Sequence, residues 1–327
     1  MIYSTLSRQG LRAAAAYKSL HLPHRLPTHR PQHTFRAMST PTFPLNDGRS
    51  VPSIAYGSGT ALYNKDASKP VTDAIHAGFR HIDTAQMYRN EEHVGAGIAA
   101  AGVPRAELFI TTKLDKVPSG QTVRDTLLES LRKLRVEYVD LFLIHMPHAH
   151  ADLKATWREM EAVQREGLAR SIGVSNFQPK HLEEVLSVAT IPPAVNQIEY
   201  HPYVFKASAA QLEIHAKHNI VTESYGGLTP ITRAKGGPLD PVLAKIAKRV
   251  SQAAGKTVTE GQVLQLWLRQ KGVVCVTTTS KVERMQEYLA VGSLPNLNDE
   301  EIAEIDQVGS THHHRAFCQW IEQDSKL

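Results

Sequence analysis

The sequence predicts an α/β protein of the (β/α)8 barrel type, a TIM barrel, with an N-terminal β-hairpin and a C-terminal loop at the barrel mouth. Three observations support this prediction: short apolar segments alternate with longer amphipathic segments, there are eight such pairs, and no linker divides them. Strict alternation is typical of a parallel sheet, and eight units in one domain favour a closed barrel over an open sheet.

The first predicted element is the hairpin. The turn-forming residues Asn46, Asp47 and Gly48 stand between two short apolar segments, 43–45 and 51–52. Asn or Asp followed by Gly favours the tight turns in which the backbone adopts positive φ angles. We therefore expect two antiparallel strands ahead of the barrel.

Eight short segments that are rich in apolar and β-branched residues predict the barrel strands. In chain order they are 53–56, 79–83, 108–113, 138–145, 169–174, 194–198, 220–225 and 273–278.

The segments between the strands have the periodicity of amphipathic helices. In 123–134, the apolar residues Val123, Leu127, Leu131 and Leu134 recur at steps of three or four, which places them on one helix face. An Asn followed by three acidic residues, a typical helix start, opens the last of the predicted helices. That last helix is 298–309. The other predicted helices are 67–77, 91–101, 153–166, 178–188, 207–218, 258–271 and 282–290, with an additional helix at 241–253.

The positive charge of the chain is concentrated near its beginning. The sequence has 37 basic and 32 acidic residues, a net charge of +5, but residues 1–46 hold six of the basic residues and no acid. The remainder is close to neutral, which argues against a nucleic-acid-binding protein. No apolar segment reaches the ~18 residues of a membrane span. Two cysteines cannot form a disulfide framework, which favours a reducing compartment.

Residues 1–41 are predicted to be a disordered basic extension, and residues 42–327 to be the barrel domain. The extension contains Arg, Ser and Ala without acids, a composition typical of mitochondrial transit peptides. The alternative is an upstream segment, with the functional start at Met38. We expect a cytoplasmic protein, with the mitochondrion as the alternative location.

A glycine-containing segment, 95–100, fits the loose dinucleotide-binding pattern G-x-G-x-x-A. That pattern binds a pyrophosphate only where a strand precedes it and a helix begins on it. Here the segment follows polar residues and lies within a predicted helix. We interpret Gly95 and Gly97 as small residues that allow helices to pack closely.

Four ionisable residues stand at or just after the ends of successive predicted strands. Asp83 ends the second strand, and Tyr88 lies in the loop that follows this strand. Lys113 ends the third strand and His145 ends the fourth. The carboxyl ends of barrel strands are where this fold places its active sites. Singly, each residue has an ordinary explanation at the surface or in the core. Together, they are the groups needed to protonate a carbonyl oxygen while hydride reaches its carbon.

The expected roles of these residues follow from charge and hydrogen bonding. A buried Lys113 needs a partner, and Asp83 is the obvious one. The ammonium group beside Tyr88 would stabilise the phenolate and lower the pKa of the tyrosine, so that it donates a proton near neutral pH. A neutral His145 would donate a hydrogen bond to the same oxygen. This chemistry requires no metal.

Four segments, 78–85, 138–145, 173–177 and 196–202, carry motifs similar to those of the aldo-keto reductase superfamily. The resemblance extends over residues 42–327. It implies a (β/α)8 barrel that uses NADPH, or less commonly NADH, to reduce aldehydes and ketones. It also implies that the tyrosine of the four-residue group is the general acid.

The same resemblance implies a set of cofactor-binding positions. Gly59 and Thr60 are similar to the loop beneath the nicotinamide ribose. Ser175, Asn176 and Gln197 resemble the side chains that hold the carboxamide, which needs both donors and acceptors. The full implied set is Gly59, Thr60, Asp83, Ser175, Asn176, Gln197, Tyr225, Gly226, Leu228, Thr279, Ser280, Lys281 and Arg284.

The chain departs from the family pattern at two loops. Tyr225 resembles the aromatic residue on which the nicotinamide stacks, but glycines follow it where the family often has Ser-Pro, which predicts a more flexible loop. After the eighth strand, 277–279 is Thr-Thr-Thr where the family usually has Pro-Lys-Ser, while Arg284 keeps its place and Lys281 is shifted. These cations and hydroxyls favour a 2′-phosphate, hence NADPH over NADH.

The segments 277–281 and 314–317 resemble a fungal branch that contains α-keto amide reductases and conjugated-polyketone (2-dehydropantolactone) reductases. This resemblance suggests activated α-dicarbonyl substrates. Phe317 and Trp320 are expected at the pocket wall. The histidines 312–314 are interpreted as part of the C-terminal loop, because three adjacent histidines do not easily bind one ion.

Two other classes of function stay open beside the leading hypothesis of an NADPH-dependent carbonyl reductase. A non-catalytic NADP(H)-binding subunit would sense redox state and act through partner proteins. A metal-dependent barrel hydrolase would need clustered ligands, and Asp83 with His145 are too few. For the reductase we expect a small carbonyl substrate, no nucleic-acid or membrane partner, and a monomer or weak homo-oligomer.

Overall fold

The structure is a computed structural model that describes residues 40–324, so the predicted extension falls almost entirely outside the described residues. Within this range, two strands form a hairpin and eight parallel strands close into a barrel. The predicted barrel strands are thus confirmed, with ends shifted by one or two residues. The strands are β1 (Thr42–Pro44), β2 (Ser50–Pro52), β3 (Ile54–Gly57), β4 (His81–Asp83), β5 (Phe109–Leu114), β6 (Val139–Ile144), β7 (Ala169–Ser175), β8 (Val195–Glu199), β9 (Val221–Tyr225) and β10 (Val274–Thr277).

The predicted hairpin is also confirmed. β1 and β2 pair antiparallel, with Phe43 opposite Val51. The turn contains Gly48 at a φ of 83°, a backbone conformation that glycine adopts without a Cβ clash. Leu45 and Val51 are buried in one apolar cluster with residues of the barrel strands, so the hairpin packs against the barrel interior.

Each barrel strand pairs in parallel with its neighbours in sequence, and β10 pairs with β3 to close the ring. The pairing places the carboxyl ends of all eight strands at one end of the barrel. For example, Asp83 at the end of β4 lies opposite Gly57 at the end of β3 and opposite Thr111 of β5. This closure brings together side chains that are far apart in the sequence.

Helices follow the barrel strands as the periodicity predicts. The last long helix, α11, begins at the predicted cap, where the Asn298 side chain accepts a hydrogen bond from the backbone N–H of Glu301. The prediction missed α7 and α12, because helices of about one turn are too short to show a periodicity. The helices are α1 (Ser68–Ala77), α2 (Glu91–Ala101), α3 (Val123–Leu134), α4 (Leu153–Arg165), α5 (Pro179–Leu186), α6 (Ala209–His218), α7 (Thr229–Thr232), α8 (Asp240–Ala254), α9 (Glu260–Gln270), α10 (Val282–Ala290), α11 (Asp299–Ser310) and α12 (Trp320–Asp324).

The glycines of the G-x-G-x-x-A segment lie inside α2 and serve helix packing, as the sequence indicated. A Cβ at Gly95 would lie 2.3 Å from the backbone oxygen of Lys133, next to the end of α3. A Cβ at Gly97 would lie 2.5 Å from the backbone oxygen of Ser68 in α1. Neither backbone atom can move aside cheaply, so only glycine fits at these two contacts.

The main core lies between the barrel and the helices around it. It includes Trp157 of α4 and Trp267 of α9, both fully buried. Among the described residues, no helix is both long and apolar enough to cross a membrane.

Candidate active site

A cavity of about 440 Å³ opens at the carboxyl ends of the barrel strands. Most of the predicted site residues line it. Lys113 is fully buried and does not line the cavity. Thr279, Ser280 and Lys281 do not line it either. The predicted residues at the cavity surface are Gly59, Thr60, Asp83, Tyr88, His145, Ser175, Asn176, Gln197, Tyr225, Gly226, Leu228 and Arg284.

Lys113 connects Asp83 and Tyr88. Its Nζ donates to Asp83 Oδ1 at 2.7 Å and to the backbone oxygen of Thr84 at 2.9 Å. The same nitrogen lies 3.5 Å from the Tyr88 hydroxyl. Both members of the ion pair are buried, with side-chain exposures of 0% and 2%. A buried pair with good geometry and an extra carbonyl acceptor holds its charges in place.

The electrostatics of Tyr88 differ from the sequence prediction. Burial raises the pKa of Tyr88, and the nearby Lys113 ammonium lowers it only in part, so the pKa stays above its ordinary value. The predicted net lowering is therefore wrong, although the lysine acts in the predicted direction. For Lys113 itself, burial lowers the pKa, but Asp83 and Tyr88 outweigh burial and raise it. The ammonium form is thus held firmly beside a neutral phenol.

The position of the phenol depends on Gly59, near the start of the loop after β3. A Cβ at this position would lie 2.8 Å from Tyr88 Cζ and 3.2 Å from the hydroxyl oxygen. Such distances are below normal van der Waals contact, so a larger residue would displace the ring. Gly59 therefore has a packing role in addition to the loop role that the sequence suggested.

His145 follows β6 and faces the same phenol. Its ring meets the Tyr88 ring edge to face, with centroids 5.5 Å apart. Burial, together with the Lys113 charge, lowers the pKa of His145 to about 3, so its imidazole is neutral at physiological pH. A neutral imidazole can donate one hydrogen bond to an oxygen in the cavity, as predicted.

Gln197 joins the ion pair to a residue that sequence reasoning missed. Its Nε2 donates to Asp83 Oδ2 at 2.9 Å and to Glu223 Oε2 at 2.8 Å. Both amide hydrogens of Gln197 are used, so only its Oε1 is free to accept from a ligand. Glu223 is fully buried on β9, two residues before Tyr225.

The remaining amide-binding candidates form one hydrogen-bonded group. Asn176 adopts a left-handed conformation, φ 62°, and its Nδ2 donates to the backbone oxygen of His145 at 3.0 Å. Its Oδ1 accepts from the Tyr225 hydroxyl. The Ser175 hydroxyl donates to the backbone oxygen of Gln197 at 2.8 Å. These contacts fix an aromatic ring and several amide and hydroxyl groups at one cavity wall.

The loop after β9, which contains Gly226, and the C-terminal segment, which contains Phe317, both line the cavity. Gly226 has a φ of 68°, and a Cβ there would lie 3.2 Å from the Phe317 ring. Phe317 meets Tyr225 edge to face, with centroids 5.7 Å apart. The guanidinium of Arg233 lies 4.6 Å from the Phe317 ring centroid, and both residues line the cavity. The predicted place of Phe317 in the pocket wall is confirmed.

A buried carboxylate, Glu199 at the end of β8, fixes the C-terminal segment. It accepts hydrogen bonds from the backbone N–H groups of Ala316 at 2.7 Å and Phe317 at 2.9 Å. Arg315 and His201 lie beside it, at 3.7 Å and 3.0 Å. Burial raises the pKa of Glu199, but these hydrogen bonds outweigh burial and lower it. Sequence reasoning missed this contact because its partners are remote in the chain.

The segment after β10 divides into two parts. Thr277, Thr278 and Arg284 line the cavity. Ser280 and Lys281, the latter directly before α10, lie outside the cavity lining, and both are exposed, as is Arg284. The structure therefore places Arg284 nearer to a cavity ligand than the shifted lysine.

The described residues contain no group of three or more His, Cys, Asp or Glu side chains arranged to hold a metal ion. Of the three adjacent histidines, His313 contacts Glu322 and His312 packs against Tyr203. The expected place of Trp320 in the pocket wall is wrong: Trp320 packs on His148, with ring centroids 4.8 Å apart, and does not line the cavity.

The donor set suits a nicotinamide nucleotide. The cavity lining offers amide and hydroxyl groups with the Tyr225 ring, and also the guanidinium groups of Arg233 and Arg284. An aromatic face suits a planar ring, amide groups suit a carboxamide, and guanidinium groups suit phosphates.

Comparison with known proteins gives a consistent result. The chain matches the family described as "Aldo/keto reductase family" over residues 54–310. An "NAD/NADP-dependent indole-3-acetaldehyde reductase" of Schizosaccharomyces pombe is 39% identical over 287 residues, which cover 84% of this chain and 98% of the relative. An "NADPH-dependent alpha-keto amide reductase" of Saccharomyces cerevisiae is 31% identical, covering 83% of this chain and 91% of the relative. The crystal structure of an aldo/keto reductase from Brucella melitensis is 34% identical with a TM-score of 0.71, covering 83% of this chain and 100% of that chain.

Proposed function

The chain belongs to the aldo/keto reductase family, and on that premise we propose that it reduces activated α-dicarbonyl compounds with Tyr88 as the proton donor. It is an NAD(P)H-dependent oxidoreductase that acts on carbonyl groups. The observation that carries the proposal is the contact of the Lys113 ammonium with both Asp83 and the Tyr88 hydroxyl at the cavity wall.

The residues present can hold the cofactor at two ends. Asn176, Ser175 and the free Oε1 of Gln197 would bind the carboxamide, and Tyr225 would stack on the ring. Arg284 would bind a 2′-phosphate, which favours NADPH. When bound, the reduced nicotinamide supplies the hydride to the carbonyl carbon.

The protein supplies the proton. As hydride reaches the carbon, the carbonyl oxygen gains negative charge and takes the proton from the Tyr88 hydroxyl, leaving a phenolate. The Lys113 ammonium lies 3.5 Å from the Tyr88 oxygen and stabilises the charge of the phenolate. The neutral His145 donates a hydrogen bond to the carbonyl oxygen and orients it. Because the resting Tyr88 has a raised pKa, it is fully protonated before the reaction.

The substrate class is inferred from the relatives and from the cavity wall. The Saccharomyces cerevisiae relative is named for α-keto amides, which carry a second carbonyl beside the reacting one. The cavity lining includes the apolar or weakly polar side chains of Met146, Phe317 and Cys318. A compact neutral carbonyl compound, such as an α-keto amide, an α-diketone or a ketolactone, suits such a wall better than a sugar.

The test compares matched pairs of substrates. Purified protein with NADPH is given an α-keto amide, an α-diketone or a ketolactone, and for each the monocarbonyl analogue of the same size. Each rate is divided by the rate of reduction by borohydride, which removes intrinsic reactivity. We expect a corrected kcat/KM at least about tenfold higher for the α-dicarbonyl compounds, roughly 1.4 kcal/mol of transition-state binding. Equal corrected values would contradict the substrate class, and no NADPH consumption with any carbonyl would contradict the reductase.

We also propose a cytoplasmic protein that acts as a monomer or weak homo-oligomer, without nucleic-acid partners. A fluorescent fusion of the full chain distinguishes cytoplasm from mitochondrion. Light scattering of the purified protein gives the oligomeric state, and a stable large assembly would contradict this part of the proposal.

A further inference from the structure

Glu223 is a buried acid without a role in the proton transfer described above. It lies on β9 with an exposure of 0% and accepts one hydrogen bond, from Gln197 Nε2 at 2.8 Å. Its other oxygen, Oε1, has no hydrogen-bond partner among the described residues. A buried carboxylate with one satisfied oxygen is costly, so its presence beside a reaction site calls for a reason.

The geometry links this acid to the proton donor, Tyr88, through four successive contacts. Gln197 Nε2 bridges Glu223 Oε2 and Asp83 Oδ2, and the other oxygen of Asp83 holds Lys113 Nζ at 2.7 Å. Lys113 Nζ in turn lies 3.5 Å from the Tyr88 hydroxyl. Two carboxyl groups, Asp83 and Glu223, therefore lie near the single ammonium group of Lys113.

The groups that face Glu223 come from several strands. Asp83 on β4 acts against its ionisation and Lys113 on β5 favours it. Of the strands that flank β9, β8 places Gln197 opposite Glu223 and β10 places Val274 opposite it. Burial and Asp83 together raise the pKa of Glu223 to about 7. The acid thus changes charge in the neutral pH range.

We propose that Glu223 is a positioning residue that sets the charge balance of the proton-donating site through Gln197 and Asp83. This inference rests on the proposed function. With Glu223 neutral, the ammonium of Lys113 faces one carboxylate and is free to stabilise a second negative charge, on Tyr88. With Glu223 ionised, the Lys113 ammonium already interacts with two carboxylates, Asp83 and Glu223.

The sign of the effect follows from the direction of proton transfer. In carbonyl reduction, Tyr88 gives up its proton and its oxygen becomes negative as the transition state forms. A negative charge on Glu223 opposes this change, so ionisation slows the step. Reduction is therefore fastest below the pKa of Glu223 and slows as the pH rises through it.

The test measures the pH dependence of hydride transfer in a single turnover of the enzyme–NADPH complex. A single turnover excludes product release from the observed rate, and a deuterated cofactor verifies that hydride transfer is being observed. The variant Glu223→Gln keeps the volume and the acceptor for Gln197 but cannot ionise. We expect the wild-type rate to fall about tenfold, the equivalent of one pKa unit of coupling, as the pH rises through about 7. The variant should stay at the low-pH rate across the same range.

Glu91 offers a matched control. It is also a buried acid whose pKa burial raises, but it lies on α2 and binds Thr112 and Ser130. Glu91→Gln should keep the wild-type pH profile. Should Glu223→Gln fail to fold, Glu223→Met provides an apolar side chain of similar size. It should also lose the pH-dependent decrease, with a lower rate because Gln197 then lacks an acceptor.

The outcomes separate this inference from the proposed function. A pH-dependent decrease that persists in Glu223→Gln would overturn the role of Glu223, as would a wild-type rate with no decrease near neutral pH. If Glu91→Gln also abolished the decrease of the rate with rising pH, the effect would be a general one of buried acids, and the role of Glu223 would again be overturned. The absence of any turnover in the wild type would instead overturn the reductase function itself.

Discussion

The proton-donating site and the loops around the cavity differ in how the fold holds them. Asp83 and Lys113 stand on strands of the barrel and are almost completely buried. Ser280 and Lys281 stand on the loop after β10 and are exposed. In the proposed mechanism, the chemical step relies on groups that strand pairing fixes in place, whereas cofactor and substrate preference rely on the loops around the cavity.

This difference has an energetic basis. A charge pair that is out of water cannot lose one partner without leaving the other uncompensated, at a cost of about 3–5 kcal/mol. An exposed cation keeps its hydration and contributes little until a ligand binds. The strand-borne site therefore tolerates little change, while the loops can vary and alter specificity. Substitutions in the two regions should differ in the size and kind of their effects.

The largest effect is expected at Lys113. Lys113→Met leaves Asp83 buried without a cation and Tyr88 without the ammonium that stabilises its phenolate. We expect the rate of hydride transfer to fall by about 10³-fold and the free energy of unfolding to fall by about 3–5 kcal/mol. Single-turnover kinetics and urea denaturation measure the two effects.

Lys271 provides the control for that variant. Its Nζ pairs with Asp306 at 2.8 Å, away from the main cavity. Lys271→Met should leave hydride transfer unchanged. A Lys113→Met enzyme with near wild-type kinetics would remove the distinction between the two regions.

A smaller effect, confined to one cofactor, is expected at Arg284. Arg284→Ala should raise the KM for NADPH by about tenfold or more, because a hydrogen-bonded charge contact is lost, and leave the KM for NADH unchanged. Lys281→Ala should have a weaker effect, since Lys281 lies outside the cavity lining. Steady-state kinetics with both cofactors checks this order. If Lys281→Ala impaired NADPH more than Arg284→Ala did, the assignment of the phosphate contact would be wrong.

The smallest of these effects is expected at Glu199, which fixes the C-terminal segment. In Glu199→Gln, one acceptor oxygen becomes an NH2 group that faces a backbone N–H of Ala316 or Phe317. We expect KM for the carbonyl substrate to rise by about fivefold, from the loss of one charge-assisted hydrogen bond, with kcat little changed. Glu322→Gln, at a half-exposed position near Arg315, is the matched control and should keep the wild-type KM. A change in kcat alone would show that the segment does not act on substrate binding.

The sequence predicted the fold and the strand-borne site well, because both depend on local patterns. The alternation of strands and helices specified the barrel, and strand ends placed Asp83, Lys113 and His145 together. The pKa of Tyr88 was predicted in the wrong direction. Its net shift depends on how deeply the ring is buried, which no local pattern reveals.

The residues that the sequence did not predict act across the barrel. Glu223 stands among polar neighbours on β9, and only barrel closure brings it to Gln197 and Asp83. Glu199 likewise meets the C-terminal segment through folding alone. Contacts between residues distant in sequence depend on tertiary packing, so motif and periodicity arguments cannot locate them.

The most direct test of the central claim, that Tyr88 gives the proton while Lys113 stabilises the resulting charge, is a single turnover with Tyr88→Phe. The ring remains in this variant, so cofactor binding, measured by nicotinamide fluorescence, should be unchanged. Hydride transfer from the bound NADPH to an α-keto amide should slow by about 10²–10⁴-fold, the contribution of a positioned general acid. Transfer at the wild-type rate with normal cofactor binding would contradict the account.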